Sequence, residues 1–534
     1  MKKYLATLLI ILYTYALAHA QVTSVSPEPH LYSDNMVVQR HAPLFFSGHA
    51  APGERVSVSL AGQSAEVRAD SEGQWQASLP PMPAGGPYDL QLGKNTYHNV
   101  YVGEVWLCSG QSNMEFKLNN DAEFRRHAAY SDPNGPAPDD GDYLAAGTAH
   151  PRLHLFSMHE RWRTNPGPWP AEALAEVDAY RYFDNSKGWT LCSEEEASRF
   201  SAIAYYFGRA LADSLTDDVH IGLILNAVGG SPTESWIDAA TLRRYHPEIL
   251  QDWSHNDLVQ DWVRRRAVEN VGDAGHLHPY QPVYLYNAAI APLRGYMLRG
   301  VIWYQGESNA QDVAEHERLL PLMLQSWRRT LSSADGRLPF YMVQLSSIAP
   351  RLTWPAFRDS QRRLAQRLPA TWMAICSDLG DSLDVHPRQK RPVGERLATL
   401  VLHNTYRQPQ AAILPYAPTD WNLEAGSLTL SYADQPLRFT TAVPRMFEVQ
   451  RPDGEWIEAT PLILDARGRQ QSSTQPGTLT LRFPADVTPI AVRYGWQPFT
   501  RANVTNAQGW PLSTFSLPLK KHSRINGPHI TYYR

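Results

Sequence analysis

The stretch GEVWLCSGQSNMEF, residues 103–116, is an apolar run that ends abruptly in small polar residues. Its apolar part predicts a buried strand, and the Ser-Gly-Gln-Ser-Asn that follows predicts a turn where the strand ends. Gly110 lets the backbone turn tightly, so Ser112 would lie beside free backbone N–H groups that could face a developing oxyanion. Ser112 is therefore a candidate nucleophile; the alternative is an ordinary turn or helix-cap serine.

The segments around this stretch predict three structural regions. Between residues 101 and 410, apolar β-branched runs such as GLILNAV and GVIWYQG alternate with helical patterns such as ERLLPLMLQSWRRTL. Strands buried on both faces and joined by helices predict a parallel α/β sheet. Residues 21–100 and 411–534 carry short alternating runs punctuated by Gly and Pro. That sequence pattern predicts a β-sandwich-type domain on each side of the α/β domain.

The first twenty residues predict a targeting segment rather than part of a folded domain. Lys2 and Lys3 precede an apolar run that ends in Ala-His-Ala before Gln21, the pattern of a secretory signal peptide over residues 1–20. We therefore expect an exported protein, periplasmic or extracellular. No later stretch is long and apolar enough to predict a membrane span.

Charge and cysteine content exclude further classes of protein. The formal net charge is -4 at pH 7, with acids and bases interspersed, which argues against a nucleic-acid partner. Only three cysteines are present, Cys108, Cys192 and Cys376, so at most one disulfide can form and the spacing does not say which. Nothing in the sequence predicts an oligomeric state.

Three further predicted strands of the α/β region also end in polar residues. One ends at Gly229 and Gly230, a second at the QGESN segment of residues 305–309, and a third in a run of acids followed by His386. In open α/β sheets such ends meet at one edge, where ligands bind. A nucleophilic serine needs a base, a group that orients the base, and oxyanion donors, and these segments contain all three.

Four segments, GEVWLCSGQSNMEF, NAVGGSPTESW, WYQGESNA and DVHPRQK, resemble the signatures of the sialate O-acetylesterase family within the SGNH-type hydrolases. Segments near both ends resemble the β-domains of bacterial members. The resemblance implies a flavodoxin-like parallel sheet flanked by β-domains, and it implies neither a metal nor an organic cofactor.

The same resemblance implies roles for individual residues. Ser112 would be the nucleophile and His386 the general base. The oxyanion donors would be the N–H groups of Ser112 and Gly230 and a side-chain amide, with Asn309 as the first candidate and Gln305 as the second.

The resemblance leaves the acidic member of the site open. Many SGNH-type hydrolases carry Asp three residues before the histidine, but Leu383 occupies that position here. Asp384, two residues before His386, is the first candidate, and Asp381 and Asp378 are its rivals. A backbone carbonyl is the remaining candidate for holding the imidazole.

The predicted function is an exported carbohydrate O-acetylesterase whose substrates are O-acetylated sialic acids. Acetylated xylan or another acetylated polysaccharide is the alternative substrate. Two alternatives of another class are an inactive carbohydrate-binding protein and a metal-dependent hydrolase built on His276 and His278.

Glu307 is interpreted as a hydrogen-bonding residue that shapes its turn rather than as a general acid. Arg388 could attract the carboxylate of an acidic sugar, although a surface arginine is the simpler interpretation.

Overall fold

The computed structural model describes residues 31–121, 147–272, 275–409, 413–432, 437–439, 445–462 and 477–519. The predicted signal peptide, residues 1–20, lies outside these residues. Within them, no helix combines the length and apolar character needed to cross a bilayer.

Strands make up most of the two ends of the described chain. The strands are β1 Val37–Gln39, β2 Leu44–His49, β3 Arg55–Leu60, β4 Gln63–Arg68, β5 Gln74–Leu79, β6 Gly85–Leu92, β7 Asn95–Gly110, β8 His150–Ser157, β9 His159–Glu160, β10 Phe183–Asp184, β11 Trp189–Cys192, β12 Ile221–Ala227, β13 Met297–Leu298, β14 Gly300–Tyr304, β15 Ser332–Ser333, β16 Phe340–Val343, β17 Thr371–Ala374, β18 Asp420–Glu424, β19 Ser427–Ser431, β20 Leu437–Phe439, β21 Phe447–Gln450, β22 Trp456–Glu458, β23 Thr460–Pro461, β24 Thr478–Arg482, β25 Ala491–Tyr494, β26 Val504–Asn506 and β27 Phe515–Pro518.

Helices lie between these strands in the middle of the chain. The α-helices are α1 Ser112–Glu115, α2 Ala171–Asp178, α3 Glu194–Arg199, α4 Ala202–Ser214, α5 Ala239–Tyr245, α6 Asp261–Val271, α7 Val313–Thr330, α8 Trp354–Arg367 and α9 Arg391–Asn404. Short 3-10 helices include Thr233–Trp236 and Ser377–Leu379, and a π-helical turn spans Tyr286–Ile290.

The central sheet has the strand order β11-β8-β12-β7-β14-β16-β17. All neighbours pair in parallel except β11, which runs antiparallel to β8 at the edge. Taken in chain order, β12, β7, β14, β16 and β17 have the flavodoxin-like order 2-1-3-4-5. Every residue of β12 and β14 is buried, as expected for strands covered on both faces. The predicted parallel α/β sheet is confirmed.

Strand β7 links the N-terminal strands to the central sheet. Its first half pairs with β6 and β1, whereas its second half is a central strand between β12 and β14. The predicted boundary at residue 100 therefore falls inside one continuous strand. The remaining N-terminal strands pair as β3 with β4 and β6, and as β2 with β5. Their packing as a sandwich stays a prediction.

The C-terminal strands form two four-stranded antiparallel sheets, β18-β19-β24-β23 and β22-β21-β25-β27, and the pair β20-β26. A loop of this region contacts the central domain beyond the ends of its strands. Ser347 Oγ donates to the carbonyl of Thr500 at 2.6 Å, and Arg501 Nη1 donates to the carbonyl of Gly380 at 3.2 Å. The C-terminal region thus supports the loop that begins at residue 380.

The three cysteines are buried and unpaired, so no disulfide forms among them. Burial raises the pKa of the Cys192 and Cys376 thiols to about 12. These cysteines therefore act as small apolar side chains of the core.

Candidate active site

Ser112 is placed by a close contact between β7 and β14 at their carboxyl ends. Gly110 has φ +140°, and a Cβ at this position would lie 2.1 Å from the carbonyl oxygen of Tyr304. The next residue, Gln111, donates its N–H to the same oxygen at 2.9 Å. Only glycine permits this approach, and the chain then enters helix α1 with Ser112 as its first residue. Within the described chain, no group accepts the Ser112 N–H.

The structure brings Ser112 and His386 together, although they are 274 positions apart. His386 lies on the loop after β17, and its Nε2 is 2.7 Å from Ser112 Oγ. Burial lowers the pKa of the imidazole, and the positive charge of Lys390 lowers it further, whereas Asp384 opposes the shift. A neutral imidazole with Nε2 facing the hydroxyl can accept its proton.

The three candidate acids differ in their partners. Asp384 Oδ1 accepts the backbone N–H of His386 at 2.8 Å but lies 3.8 Å from Nδ1, beyond hydrogen-bond distance. Asp381 accepts the N–H groups of Leu383 and Asp384, which shapes the loop. Asp378 instead forms a bidentate ion pair with Arg396. Of the three acids, Asp384 is the one placed beside the imidazole, and its influence there is electrostatic.

A glycine turn after β12 lies against the serine. A Cβ on Gly229 would be 3.7 Å from Ser112 Cβ, and a Cβ on Gly230, which has φ +72°, would be 2.2 Å from Tyr280 Oη. That hydroxyl donates to the Gly229 carbonyl at 2.7 Å, and Ser308 Oγ donates to the Gly230 carbonyl at 2.9 Å. Because a trans peptide directs its C=O and N–H oppositely, the Gly230 N–H points away from Tyr280. It has no acceptor in the part of the chain that the structure describes.

The two candidate amides of the QGESN segment belong to a buried network instead. Gln305 Nε2 donates to the Ser231 carbonyl and to Asn309 Oδ1, which uses both of its hydrogens. Asn309 Nδ2 donates to Glu234 Oε2 at 3.0 Å, and its Oδ1 also accepts from the N–H and hydroxyl of Thr233. Gln305 therefore has no hydrogen left for an oxyanion. Asn309 has one, and its role as a donor stays a prediction.

A second buried network, which the sequence reasoning missed, joins the serine and histidine segments. Asn113 Nδ2 donates to Glu307 Oε1 at 2.5 Å and to the Val385 carbonyl at 3.0 Å, and its Oδ1 accepts from Lys390 Nζ. Lysine only donates, so the orientation of this amide is fixed. The contact with Glu307 agrees with the structural interpretation of that residue. The only available signal was that Asn113 and Val385 adjoin the two candidate catalytic residues.

Ser112 and His386 open into a cleft of about 380 Å³. The other residues that line it are Glu115, Phe116, Lys117, Asn120, Arg163, Asp384 and Arg388. The volume falls within the range of small-molecule sites. The cleft is therefore large enough to hold a sugar beside the serine.

The two histidines of the alternative metal site have protein partners. His276 Nδ1 contacts Asp178 at 2.7 Å, while His278 contacts Asn270 and the N–H of Tyr280. Burial lowers the pKa of His278 to about 3. Among the described residues, no group of three or more potential metal ligands occurs.

Comparisons with known proteins point to one family. A family model described as carbohydrate esterase, sialic acid-specific acetylesterase, matches residues 102–403. Sialate O-acetylesterase of Mus musculus is 28% identical over 517 residues, which cover 87% of this chain and 88% of the relative. The Homo sapiens protein of that name is 27% identical over 510 residues, covering 87% and 86%. The crystal structure of a carbohydrate acetylesterase from Xanthomonas citri matches with TM-score 0.69 and 28% identity, over 93% of this chain and 100% of that one.

Proposed function

Because the chain belongs to the sialic acid-specific acetylesterase family of carbohydrate esterases, we propose that it hydrolyses O-acetyl esters of sialic acids with Ser112 and His386. The observation that carries the mechanism is the 2.7 Å contact between Ser112 Oγ and His386 Nε2 at the mouth of a sugar-sized cleft. A hydroxyl in contact with a neutral imidazole, at the ends of parallel strands, is the arrangement that acyl transfer requires.

The reaction proceeds in two halves. Ser112 Oγ attacks the acetyl carbonyl carbon while His386 Nε2 takes the hydroxyl proton. The tetrahedral intermediate then collapses, the bond to the sugar oxygen breaks, and the imidazolium protonates the departing hydroxyl. Water, deprotonated by His386, attacks the acetyl-serine in the same way. Acetate leaves and the proton returns to Ser112.

Backbone N–H groups stabilise the oxyanion in this mechanism. The N–H of Ser112 and the N–H of Gly230 are both without acceptors in the described chain, and Gly229 lies against the serine. Each such donor contributes roughly 10²- to 10³-fold to the rate. Asn309 would add its remaining amide hydrogen. Asp384, 3.8 Å from Nδ1, stabilises the imidazolium by charge.

The test of this function compares acetate release from three substrates: an O-acetylated sialoside, acetylated xylan and an aryl acetate. We expect release from the aryl acetate and a higher kcat/KM for the sialoside than for the xylan. A preference for xylan would replace the sialic acid by a neutral sugar and leave the esterase chemistry standing. No acetate from any of the three would favour the carbohydrate-binding alternative.

The pH dependence tests the role of His386 as the base. Because the pKa of the imidazole is lowered from 6.5, the acid limb of kcat should have its midpoint below pH 6.5. The Lys390 ammonium contributes to this shift. Lys390→Met should therefore raise the pKa of His386 and move the acid limb to higher pH. It should also lower kcat more than it raises KM, because Asn113 loses a partner.

The control for this prediction is Lys94→Met, since Lys94 is an exposed lysine in the N-terminal region whose side chain is 90% accessible. Its pH profile should match that of the unsubstituted enzyme. An acid limb that stays in place or moves to lower pH in Lys390→Met would contradict the proposed coupling.

A further inference from the structure

Three positively charged side chains line the cleft that contains Ser112 and His386. Lys117 follows helix α1, Arg163 follows β9, and Arg388 lies two residues beyond His386. They come from three separate segments of the chain, so their convergence is a property of the folded protein. Each segment contributes only one cation, so no single segment of the sequence predicts the positive charge of the cleft.

These cations have no carboxylate within ion-pair distance among the described residues. Their near neighbours do: Arg161 pairs with Glu176 at 3.8 Å, and Arg391 pairs with Glu395 at 2.7 Å. Arg161 and Arg391, which do not line the cleft, thus have carboxylate partners, whereas Arg163 and Arg388 have none within ion-pair distance among the described residues. Since unpaired charge in a cleft attracts an opposite charge, the site is suited to an anionic ligand.

The acids that line the cleft are fewer than the cations. Burial raises the pKa of Glu115, which lines the cleft, while the positive charges of Arg163 and Lys117 act against that rise. Burial raises the pKa of the nearby Glu160 to about 8. Tyr182 donates its hydroxyl to Glu160 at 2.6 Å. Asp384 lies beside His386 and accepts its backbone N–H. Two carboxyl groups, those of Glu115 and Asp384, therefore share the cleft with three cations.

We propose that Arg163 and Arg388 bind the carboxylate of the sialic acid whose acetyl group Ser112 attacks, with Lys117 adding to the positive potential. This assignment rests on the proposed function. Guanidinium groups bind carboxylates through paired N–H donors, which fixes orientation as well as charge. Because Arg388 shares its loop with His386, a carboxylate held there lies at a defined distance from the reacting ester. A neutral acetylated sugar would leave these cations without a partner.

The experiment uses two substrates that differ by one charge: an O-acetylated sialoside and the same sialoside with its carboxylate converted to a carboxamide. Acetate release from each is measured on the full chain, on the double variant R163Q/R388Q, and on Arg161→Gln as the matched control. The unsubstituted enzyme should prefer the carboxylate by at least about tenfold in kcat/KM, as expected for a charge-assisted hydrogen bond. The double variant should bring this ratio close to one, and Arg161→Gln should keep it.

Two results would overturn the carboxylate site: equal kcat/KM values for the two sialosides in the unsubstituted enzyme, or an unchanged preference in R163Q/R388Q. A third substrate, an acetylated xylo-oligosaccharide that bears glucuronic acid, identifies the source of the carboxylate. Its hydrolysis with the same arginine dependence, in preference to the sialoside, would overturn sialic acid as the ligand. Failure of the proposed function is distinct, because the aryl acetate would then be hydrolysed and neither sialoside would release acetate.

Discussion

Replacing Ser112 with alanine is expected to lower kcat for acetate release from an aryl acetate by roughly 10⁴- to 10⁶-fold, the cost of removing a nucleophile that works with its base as a unit. The hydroxyl contacts His386 and caps no helix, because Gln111 occupies the cap position of α1. Stability should therefore change by no more than about 0.5 kcal/mol. The expected result is a folded protein that retains its substrate affinity and lacks turnover.

The matched control is Ser109→Ala. Ser109 is wholly buried three residues earlier on β7, and its hydroxyl makes only a 3.5 Å contact with the Asn226 carbonyl. That variant should keep kcat within about tenfold of the unsubstituted enzyme, because it removes only a weak hydrogen bond. Mass spectrometry after treatment with an organophosphate provides a second measurement, in which the label should fall on Ser112. A stable Ser112→Ala protein with kcat within tenfold of the original would refute the nucleophile assignment.

Much of the fold and of this pair could be predicted from sequence because the relevant signals are local. An apolar run that ends in small polar residues predicts both a buried strand and the loop that follows it. Parallel strands place such loops at one edge, which brought Ser112, Gly230 and His386 into one site despite their separation in the chain. The flavodoxin-like order of the central sheet was implied by the family resemblance and not by these local signals.

Other parts of the site depend on contacts that no local pattern encodes. Gln305 and Asn309 have the right chemistry for an oxyanion hole, but tertiary packing places the Ser231 carbonyl and Glu234 within reach. Both amide hydrogens of Gln305 and one of Asn309 are therefore already donated. Asn113 and Lys390 are linked only because two distant loops meet. Side-chain partners of this kind are decided by packing, and sequence spacing carries no information about them.

The predicted domain boundary at residue 100 depends on a change of pattern inside β7. The first part of β7 contains exposed and partly exposed residues, because its neighbours there have one exposed face. Its last residues are all buried, because its neighbours there are covered on both faces. The change of sequence pattern near residue 100 predicts a domain boundary there, and the strand itself continues across it. Burial pattern reports the environment of a strand and not the end of a folding unit.

Replacing Arg358 with methionine is expected to lower the free energy of unfolding by about 3–5 kcal/mol, because it leaves several buried acceptors without a donor at a cost of about 1–3 kcal/mol each. Arg358 is wholly buried in helix α8, and its guanidinium donates to four oxygens of the C-terminal region. These are Thr514 Oγ1 at 3.0 Å and the carbonyls of Pro498 at 3.1 Å, Gly495 at 3.2 Å and Gln497 at 2.6 Å. Methionine fills much of the space but donates no hydrogen bond, so these oxygens lose a buried donor.

The same substitution should also reduce activity, because the loop that Arg358 holds supports the histidine loop through Arg501 and Gly380. Denaturant unfolding followed by tryptophan fluorescence measures the loss of stability, and acetate release measures the loss of activity.

Arg367→Met is the matched control, since Arg367 is exposed on the same helix, and it should change stability by less than about 0.5 kcal/mol. If Arg358→Met unfolded at the same denaturant concentration as that control, the C-terminal region would not be anchored through this guanidinium. A loss of stability with unchanged kcat would show that the anchor supports the fold without positioning His386.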